Sequence, residues 1–443
     1  MRHIWYCAFS LLAFGIVIIS ETAKAGNWNT GGTGSTSLIP QTNPGGPSVN
    51  HTWGAELPQN IRPNDNTISL YQGKRIGFIR NRINQGRTYI VEPIGNASEF
   101  KFASNYESKI LERELSQGYI LSYLFYEDGT VKYNGRAKDG RFRQDVNDEI
   151  LFYTHSTGKS ITSYIIGHAI CEGYISSIDE LIDWPMMRKT LYQGQPLLDL
   201  LNMRAGDKHT IDEKRSHYVM GSKKHHRNMG LNEIARLLEG TKKKGRELFY
   251  NNFLADVLAN YVVFKSGEKY DYLMQKVFQA KVKIAHPIYY EKHVSSPGGS
   301  TKDENSPDYY GQPQTLASYS FFMTRMDFLR VAEAMMKDYQ SGTCEGNYLK
   351  QIQSKAESWY RGRHKGRNAS LWLNSYAQKY GGQFYFDFLG MNQRNIFGTE
   401  GYNGQNMLID MDKSRIVVTN SSATAWDQRT FMLEVIRDGK LPK

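Results

Sequence analysis

Ser156 and Lys159 form a candidate catalytic pair at the start of an apolar stretch whose spacing predicts a helix. A three-residue step on a helix places both side chains on the same face, one turn apart. A serine at a helix N-terminus lies at the positive end of the helix dipole, which favours a developing alkoxide, and a neighbouring lysine can take or shuttle its proton. The pair is therefore a candidate nucleophile and base, and a plain helix cap is the structural alternative for the serine.

The Ser-x-x-Lys spacing is unspecific by itself, because the ranges Ser98–Lys101 and Ser266–Lys269 repeat it. A second feature narrows the interpretation, since Tyr250–Asn252 is the only Tyr-x-Asn triplet in the chain. A tyrosine hydroxyl near a lysine can have its pKa lowered enough to act as a base. Tyr250 is therefore a candidate third catalytic residue beside Ser156 and Lys159.

A third feature is the stretch Gly398–Gln405, with the sequence GTEGYNGQ, which begins a late predicted strand. Glycine lets a ligand approach the backbone closely, and backbone N–H groups can then face an oxyanion. An ordinary glycine turn between two strands is the alternative interpretation of this stretch.

In this order the three features resemble the serine β-lactamase and penicillin-binding-protein superfamily. The closest resemblance is to its class C-like branch of carboxylesterases and 6-aminohexanoate-dimer hydrolases, over about residues 105–437. Further landmarks resemble successive helices and loops of that family: Ser160–Ser163, Gly173–Ile175, Ile178–Glu180, Trp184–Pro185 and Leu200–Gly206. The resemblance implies an α+β fold, in which an antiparallel sheet is flanked by helices and an inserted, mainly helical region at about 184–310 carries the tyrosine.

The resemblance also implies a role for each matching residue. Ser156 is the acylated nucleophile and Lys159 its proton partner, while Tyr250 is the general acid and base. Asn252 is an amide that orients the substrate. The backbone N–H groups of Ser156 and Tyr402 form the oxyanion hole.

The third motif departs from the family pattern. β-Lactamases and peptidases place a basic residue, a hydroxyl residue and a glycine there, whereas this chain has Thr399, Glu400 and Gly401. A carboxylate at Glu400 repels an anionic substrate group and favours a cationic or neutral one. We therefore predict a serine hydrolase that acts on a small-molecule amide or ester.

Two alternatives remain open at this stage. The first is a D-alanyl-D-alanine peptidase or β-lactamase, which requires that the third motif is displaced by one residue. The second is a catalytically inactive family member that binds an anionic cell-envelope polymer through its basic surface.

Neither a cofactor nor a metal is expected, because the pair His225–His226 has no further ligand at metal-binding spacing. His155 is expected to be a surface or backbone-bonded histidine.

The elements that must position these residues are predicted from local patterns. Tyr106–Leu115 has apolar residues at helical spacing, and a β-hairpin follows over 119–133 with an Asp-Gly turn. A second hairpin is predicted over Asn406–Thr419, and a last helix over Trp426–Arg437.

The first 25 residues predict a secretory signal: positively charged first residues, an apolar run, and Ala23-Lys24-Ala25 at the cleavage site. A flexible linker rich in Gly, Ser and Pro is predicted at 26–66, followed by one hydrolase domain at 67–443. We therefore expect a periplasmic or extracellular protein. The mature chain keeps Cys171 and Cys344, which leaves a disulfide permitted but undecided.

The composition agrees with a globular protein. The chain has 443 residues, of which 40% are hydrophobic and 22% charged, so it is long and apolar enough for a sizeable core. The net charge of +11 favours anionic surroundings. Its basic runs lack the interleaved aromatic residues of a nucleic-acid surface, so no nucleic-acid partner is predicted. The oligomeric state is left open.

Overall fold

The computed structural model describes residues 88–443, apart from 105, 118, 138–145, 211–234, 237, 292–320, 360–371 and 423–425. The predicted signal, the predicted linker and the first residues of the predicted hydrolase domain lie outside the described residues. The same holds for His225–His226 and for the basic runs at 223–227 and 361–367.

Strands and helices alternate irregularly along the described residues. The strands are β1 Thr88–Val91, β2 Lys101–Phe102, β3 Ile120–Glu127, β4 Thr130–Arg136, β5 Leu151–Tyr153, β6 Ile288–Glu291, β7 Phe321–Thr324, β8 Glu357–Ser358, β9 Ala377–Gly381, β10 Phe384–Phe388, β11 Ile396–Gly401, β12 Gln405–Asp410 and β13 Arg415–Ser421. The α-helices are α1 Lys109–Gln117, α2 Thr157–Cys171, α3 Leu197–Leu201, α4 Asn252–Ser266, α5 Tyr270–Gln275, α6 Arg325–Ser341, α7 Cys344–Ser354 and α8 Val435–Asp438. Short 3₁₀ turns lie at Pro185–Met187, Gly267–Lys269 and Leu373–Tyr376, and π-helical turns at Lys276–Lys281 and Arg429–Glu434.

The strands form two sheets. The larger has the order β2-β4-β3-β13-β12-β11-β10-β9-β8, and the smaller has the order β1-β6-β7-β5. All strand pairs are antiparallel except β2 with β4. The predicted α+β fold, an antiparallel sheet flanked by helices, is confirmed.

Both predicted hairpins are present. β3 and β4 are joined at Asp128 and Gly129, which have φ angles of 47° and 83° as a tight turn requires. β12 and β13 are joined through the loop that ends at Ser414, again with a positive φ of 49°. The sequence predicted both hairpins because alternating apolar residues and turn residues are local signals.

The helix that carries the Ser-x-x-Lys pair is buried on every side. The run Thr157–Ala169 of α2 is buried, and α2 packs on β11 and β12 on one side and on α4 and α7 on another. Gly167 permits the close approach of α7, because a Cβ atom there would lie 2.6 Å from the ring of Tyr348. Such a central helix holds its first turn rigidly against the large sheet.

The boundaries of three predicted elements differ in the structure. The first helix begins at Lys109 rather than Tyr106, and the last predicted helix is a π-helical turn that continues into α8. The region at 184–310 contains α3, α4 and α5, and its end also contributes strand β6 to the small sheet. Within the described ranges, no helix is long and apolar enough to cross a membrane.

Candidate active site

Ser156 lies where strand β5 of the small sheet passes into helix α2. Thr154 and His155 make the connection, and His155 adopts a left-handed backbone conformation with φ of 48°. The His155 ring packs edge-on against Tyr153, with centroids 4.4 Å apart, and against Tyr402, at 5.7 Å. His155 is therefore buried, because two aromatic rings from different elements enclose it, and of the two predicted alternatives the surface histidine is excluded.

The Ser156 hydroxyl does not cap the helix. Ser156 occupies the N-cap position but has helical backbone angles, and its side chain makes no cap hydrogen bond. Instead Lys159 Nζ donates a 3.0 Å hydrogen bond to Ser156 Oγ. Ser156 is only partly buried, whereas Lys159 is 1% exposed. The arrangement favours the nucleophile interpretation over the cap, because the hydroxyl faces the amine one turn along the helix.

One of the other two Ser-x-x-Lys sequences is visibly structural. The Ser266 hydroxyl donates to the backbone carbonyl of Val262 at 2.7 Å, within α4, and Lys269 is exposed. Such a bond back to the preceding turn is ordinary for a helical serine.

Tyr250 is the third polar group of the candidate site, beside Ser156 and Lys159. It lies two residues before α4 and forms a hydrogen bond with Ser156. Lys159 Nζ lies 4.9 Å from the centroid of the Tyr250 ring. Burial raises the pKa of Tyr250, the hydrogen bond from Ser156 lowers it, and the charge of Glu400 raises it further. The net direction is opposite to the lowered pKa expected from a neighbouring lysine, since burial outweighs the other effects.

The residue after the tyrosine anchors it. Asn251 is the N-cap of α4, where its Oδ1 accepts the backbone N–H of Leu254 at 3.0 Å. Its Nδ2 donates to Asp207 Oδ2 at 3.1 Å, and burial raises the pKa of Asp207 to about 6. Asn252, the predicted substrate-orienting amide, is the first residue of α4 and is partly exposed.

Strand β11 lies directly beside the start of α2. Thr157 Oγ1 and Thr399 Oγ1 are 3.1 Å apart, and a Cβ atom on Gly401 would lie 2.3 Å from the carbonyl oxygen of Thr154. Only glycine therefore allows the strand to approach the segment Thr154–His155, which leads into Ser156, this closely. Tyr402, whose N–H is the predicted second oxyanion donor, follows the strand and is half exposed.

The glycine stretch is also a turn between strands. Asn403 and Gly404 have φ angles of 65° and 80°, and the Gly404 N–H donates to the carbonyl of Gly401 at 3.0 Å. The stretch is therefore a glycine turn between β11 and β12, and it also lies against Thr154 and His155, the two residues before Ser156.

Glu400 points away from Thr157 and toward Tyr250. Its Oε2 accepts the backbone N–H of Asn374 at 2.7 Å, and burial raises the pKa of the Glu400 carboxyl to about 8. Thr399, which the resemblance aligns with the basic residue of the family motif, packs on α2 instead. The side chain that this strand presents to Tyr250 is thus a carboxyl group.

Three aromatic residues around Tyr250 were missed by the sequence analysis. Trp359 and Tyr380 pack edge-on against the Tyr250 ring, with centroids 6.4 Å and 5.9 Å away, and Tyr385 packs on both of them. All three are buried. The aromatic density of strands β9 and β10 was the available signal, but it did not indicate which ring would face the site.

Cys171 and Cys344 are bonded to each other. Cys171 ends α2 and Cys344 begins α7, and their Cα atoms are 5.8 Å apart. The disulfide therefore links the C-terminal end of α2 to the start of α7. Close to it, His168 Nδ1 lies 3.2 Å from Glu345 Oε1, and the His168 hydrogen bond lowers the pKa of Glu345 to about 2. No His, Cys, Asp and Glu group suited to a metal occurs among the described residues.

No protein-family model and no curated protein matches the chain in sequence. Among solved structures it is similar to a Bacillus anthracis protein assigned as a 6-aminohexanoate-dimer hydrolase, with 16% identity, a TM-score of 0.54, and 81% of this chain and 93% of that one covered. It is also similar to a Bacteroides dorei protein assigned as a β-lactamase, with 14% identity, a TM-score of 0.51, and 74% and 96% covered. At these identities the likeness is one of fold.

Proposed function

We propose that this chain, whose fold is that of the serine β-lactamase and penicillin-binding-protein superfamily, is a secreted serine hydrolase that cleaves an amide or ester through an acyl-enzyme on Ser156. The single observation that carries the proposal is the 3.0 Å hydrogen bond between Lys159 Nζ and Ser156 Oγ, with the Tyr250 hydroxyl bonded to the same serine. A partly exposed hydroxyl between a buried amine and a phenol is the arrangement that nucleophilic catalysis needs.

In the proposed acylation step, Ser156 Oγ attacks the substrate carbonyl carbon and loses its proton to the amine of Lys159. The tetrahedral intermediate then collapses, and the leaving amine or alcohol takes a proton from the Tyr250 phenol. Because burial raises the pKa of Tyr250, the phenol is protonated at neutral pH and ready to act as that acid. Water then attacks the acyl-enzyme by the reverse proton path and releases the acid.

The negative oxygen of the intermediate would lie between the backbone N–H groups of Ser156 and Tyr402. The contact of Gly401 with the Thr154 carbonyl supports this placement, because it holds the end of β11 against the segment Thr154–His155. Preorganised N–H donors of this kind stabilise developing negative charge strongly in a site that excludes water. Asn252 would orient the substrate from the start of α4.

The observation that weighs against the peptidase and β-lactamase alternative is the carboxyl of Glu400. Substrates of those enzymes carry a carboxylate, which a neighbouring acidic group does not attract. The alternative predicts covalent labelling by a fluorescent penicillin. The inactive polymer-binding alternative predicts salt-sensitive retention on peptidoglycan without any covalent labelling.

Export from the cytoplasm is part of the proposal. The apolar N-terminal stretch with its Ala23-Lys24-Ala25 site supports it, and so does the bond between Cys171 and Cys344, since disulfides persist in oxidising compartments. Sequencing of the N-terminus of the exported protein is expected to begin at Gly26.

The decisive experiment is labelling of the purified protein by a fluorophosphonate probe, read out by intact and peptide mass. A single adduct on Ser156 is expected, and none in Ser156→Ala. Hydrolysis of small esters by the wild type should fall to the buffer rate in the same variant. Unchanged ester hydrolysis in Ser156→Ala would overturn the proposal.

A further inference from the structure

We propose that Glu400 binds a positively charged group of the substrate, so that the enzyme selects amides or esters whose acyl or leaving group carries an ammonium. The inference rests on the proposed function, because it names the substrate class for the same site. It is carried by three features: side-chain oxygens of Glu400 and Asn374 that have no partner among the described residues, the action of the Glu400 charge on Tyr250, and the buried aromatic rings around Tyr250.

Two residues joined by a hydrogen bond, Glu400 and Asn374, each carry a buried side-chain oxygen that has no partner among the described residues. Oε2 of Glu400 is held by the backbone N–H of Asn374, but within the part of the chain that the structure describes, Glu400 Oε1 and Asn374 Oδ1 have no hydrogen-bond partner. Glu400 is 6% exposed and Asn374 is 7% exposed. Buried polar atoms are normally paired, so these oxygens need a donor, which the proton of the neutral carboxyl can supply in the free protein and a bound ammonium would supply in its place. An ammonium offers three N–H donors and no acceptor, which matches both oxygens.

The carboxyl lies on the catalytic side of the large sheet. Tyr385 of β10 pairs with Gly398 of β11, and Glu400 follows Gly398 by two residues, so Tyr385 and Glu400 share one face of the sheet. The Tyr385 ring belongs to the aromatic group around Tyr250. The charge of Glu400 acts on the Tyr250 hydroxyl, which itself bonds Ser156. A cation at Glu400 would therefore lie close to the reacting carbonyl.

The surroundings strengthen an ion pair at this position. Trp359, Tyr380 and Tyr385 form a buried aromatic wall, and the attraction between opposite charges increases as the local dielectric constant falls. The titratable groups that face this region are Tyr250, from the segment before α4, Tyr385, from β10, and Lys159, from α2. Lys159 is engaged with Ser156 and with the Tyr250 ring, so it does not take the place of the substrate cation.

Binding of a cation at Glu400 is coupled to release of a proton. Burial raises the pKa of Glu400 to about 8, so the carboxyl carries a proton at neutral pH in the free protein. When an alkylammonium binds, the carboxyl gives this proton to the solvent, and the ammonium cation takes its place beside the oxygen atoms. The affinity should therefore increase from pH 6 to pH 8 and level off above that, until the ammonium loses its own proton near its pKa of about 10.

The direct test is titration calorimetry with n-butylammonium and, as its neutral counterpart, 1-butanol, in two pH 7 buffers that differ in ionisation enthalpy. The wild type should bind the ammonium at least tenfold more tightly and release close to one proton per ligand. Glu400→Gln should lose both the preference and the proton release, and Glu400→Asp should retain the preference. Glu357→Gln, which removes a half-exposed carboxylate on β8, is the matched control and should behave as the wild type.

Turnover gives a second readout with matched substrates. Glycyl and β-alanyl 4-nitroanilides carry a free ammonium, and their N-acetyl derivatives are neutral. The wild type should prefer the free amines at least tenfold in kcat/KM in one of the two pairs, and Glu400→Gln should reduce that ratio to near one.

The proposal is overturned if butylammonium does not bind, if 1-butanol binds equally well, or if Glu400→Gln keeps the preference while its thermal transition shows a folded protein. Failure of the proposed function has a separate signature. Ser156→Ala abolishes labelling by the fluorophosphonate if Ser156 is the nucleophile, but the same variant should bind butylammonium as the wild type does.

Discussion

The amine of Lys159 donates to the hydroxyl of Ser156 across one turn of α2, although the lysine is almost completely buried. A buried lysine without a polar partner is strongly unfavourable, so a position that keeps one must be held by specific contacts. Here those contacts include the Ser156 hydroxyl and the face of the Tyr250 ring. The predictions below follow from this arrangement and from the elements that maintain it.

Replacement of Lys159 by Ala should slow acylation of Ser156 by at least about 10²-fold, the range typical of an acid or base group. The rate is measured as single-turnover labelling by a fluorophosphonate. Lys269→Ala is the matched control, because Lys269 has the same spacing from Ser266 but is exposed. Equal labelling rates in the two variants would contradict the assignment of Lys159.

Tyr250→Phe removes only the hydroxyl and keeps the ring in its aromatic surroundings. We expect kcat for a 4-nitrophenyl ester to fall by about 10²-fold or more, while the thermal transition shifts little. Tyr272→Phe removes a hydroxyl from a tyrosine that is 47% exposed on α5 and should leave kcat unchanged. A Tyr250→Phe enzyme that is as fast as the wild type would exclude a proton-transfer role.

Gly401→Ala should push the segment Thr154–His155 away from strand β11, because the new Cβ atom would lie 2.3 Å from the Thr154 carbonyl oxygen. Labelling of Ser156 should slow by roughly 10²-fold or more, which is the cost of losing an oxyanion donor. Gly390→Ala is the comparison: it strains a glycine with φ of 79° in open space. That variant should lose stability without slower labelling, and a similar slowing in both would point to a general loss of folding.

Glu400 should make the folded protein less stable as the pH rises from 4.5 to about 8. Its pKa increases from an ordinary 4.5 to about 8 on folding, because burial disfavours the charged form. Below pH 4.5 both states hold the proton, and above it the unfolded chain releases a proton that the folded chain keeps. The difference in unfolding free energy between Glu400→Gln and the wild type, measured in urea, should therefore shift in favour of the variant across this interval. A constant difference would contradict the raised pKa.

Loss of the disulfide should lower the free energy of unfolding by about 2–5 kcal/mol. The bond joins residues separated by 173 positions, so it restricts the unfolded chain over a long loop. The double variant Cys171→Ser with Cys344→Ser tests this in urea. A reducing agent should destabilise the wild type and leave the variant unaffected. If the wild type is insensitive to complete reduction, the bond contributes little.

The Ser-x-x-Lys pair and the two hairpins could be predicted because their signals are local. Three residues along a helix return to the same face, and the Asp128-Gly129 turn depends only on the backbone preferences of its own residues. The order of the three motifs then indicated the superfamily fold, which the similar structures support.

The direction of the Tyr250 pKa could not be predicted from the sequence. The neighbouring lysine was visible in the motif, but the burial that dominates the shift comes from Trp359, Tyr380 and other residues far along the chain. The burial of His155 has the same origin, since the ring of Tyr402 reaches it from the end of β11.

The sequence by itself determined which chemical groups are available, namely a serine, a lysine one helical turn away, a single Tyr-x-Asn triplet and an acidic residue in place of a basic one. Only the tertiary structure decided how these groups act on one another. It closed the bond between Cys171 and Cys344, turned Glu400 rather than Thr399 toward Tyr250, and raised the pKa of the Glu400 carboxyl by burial. The physical reason is that residue types and short spacings are local properties, whereas burial and charge interactions depend on atoms that folding brings together from distant segments.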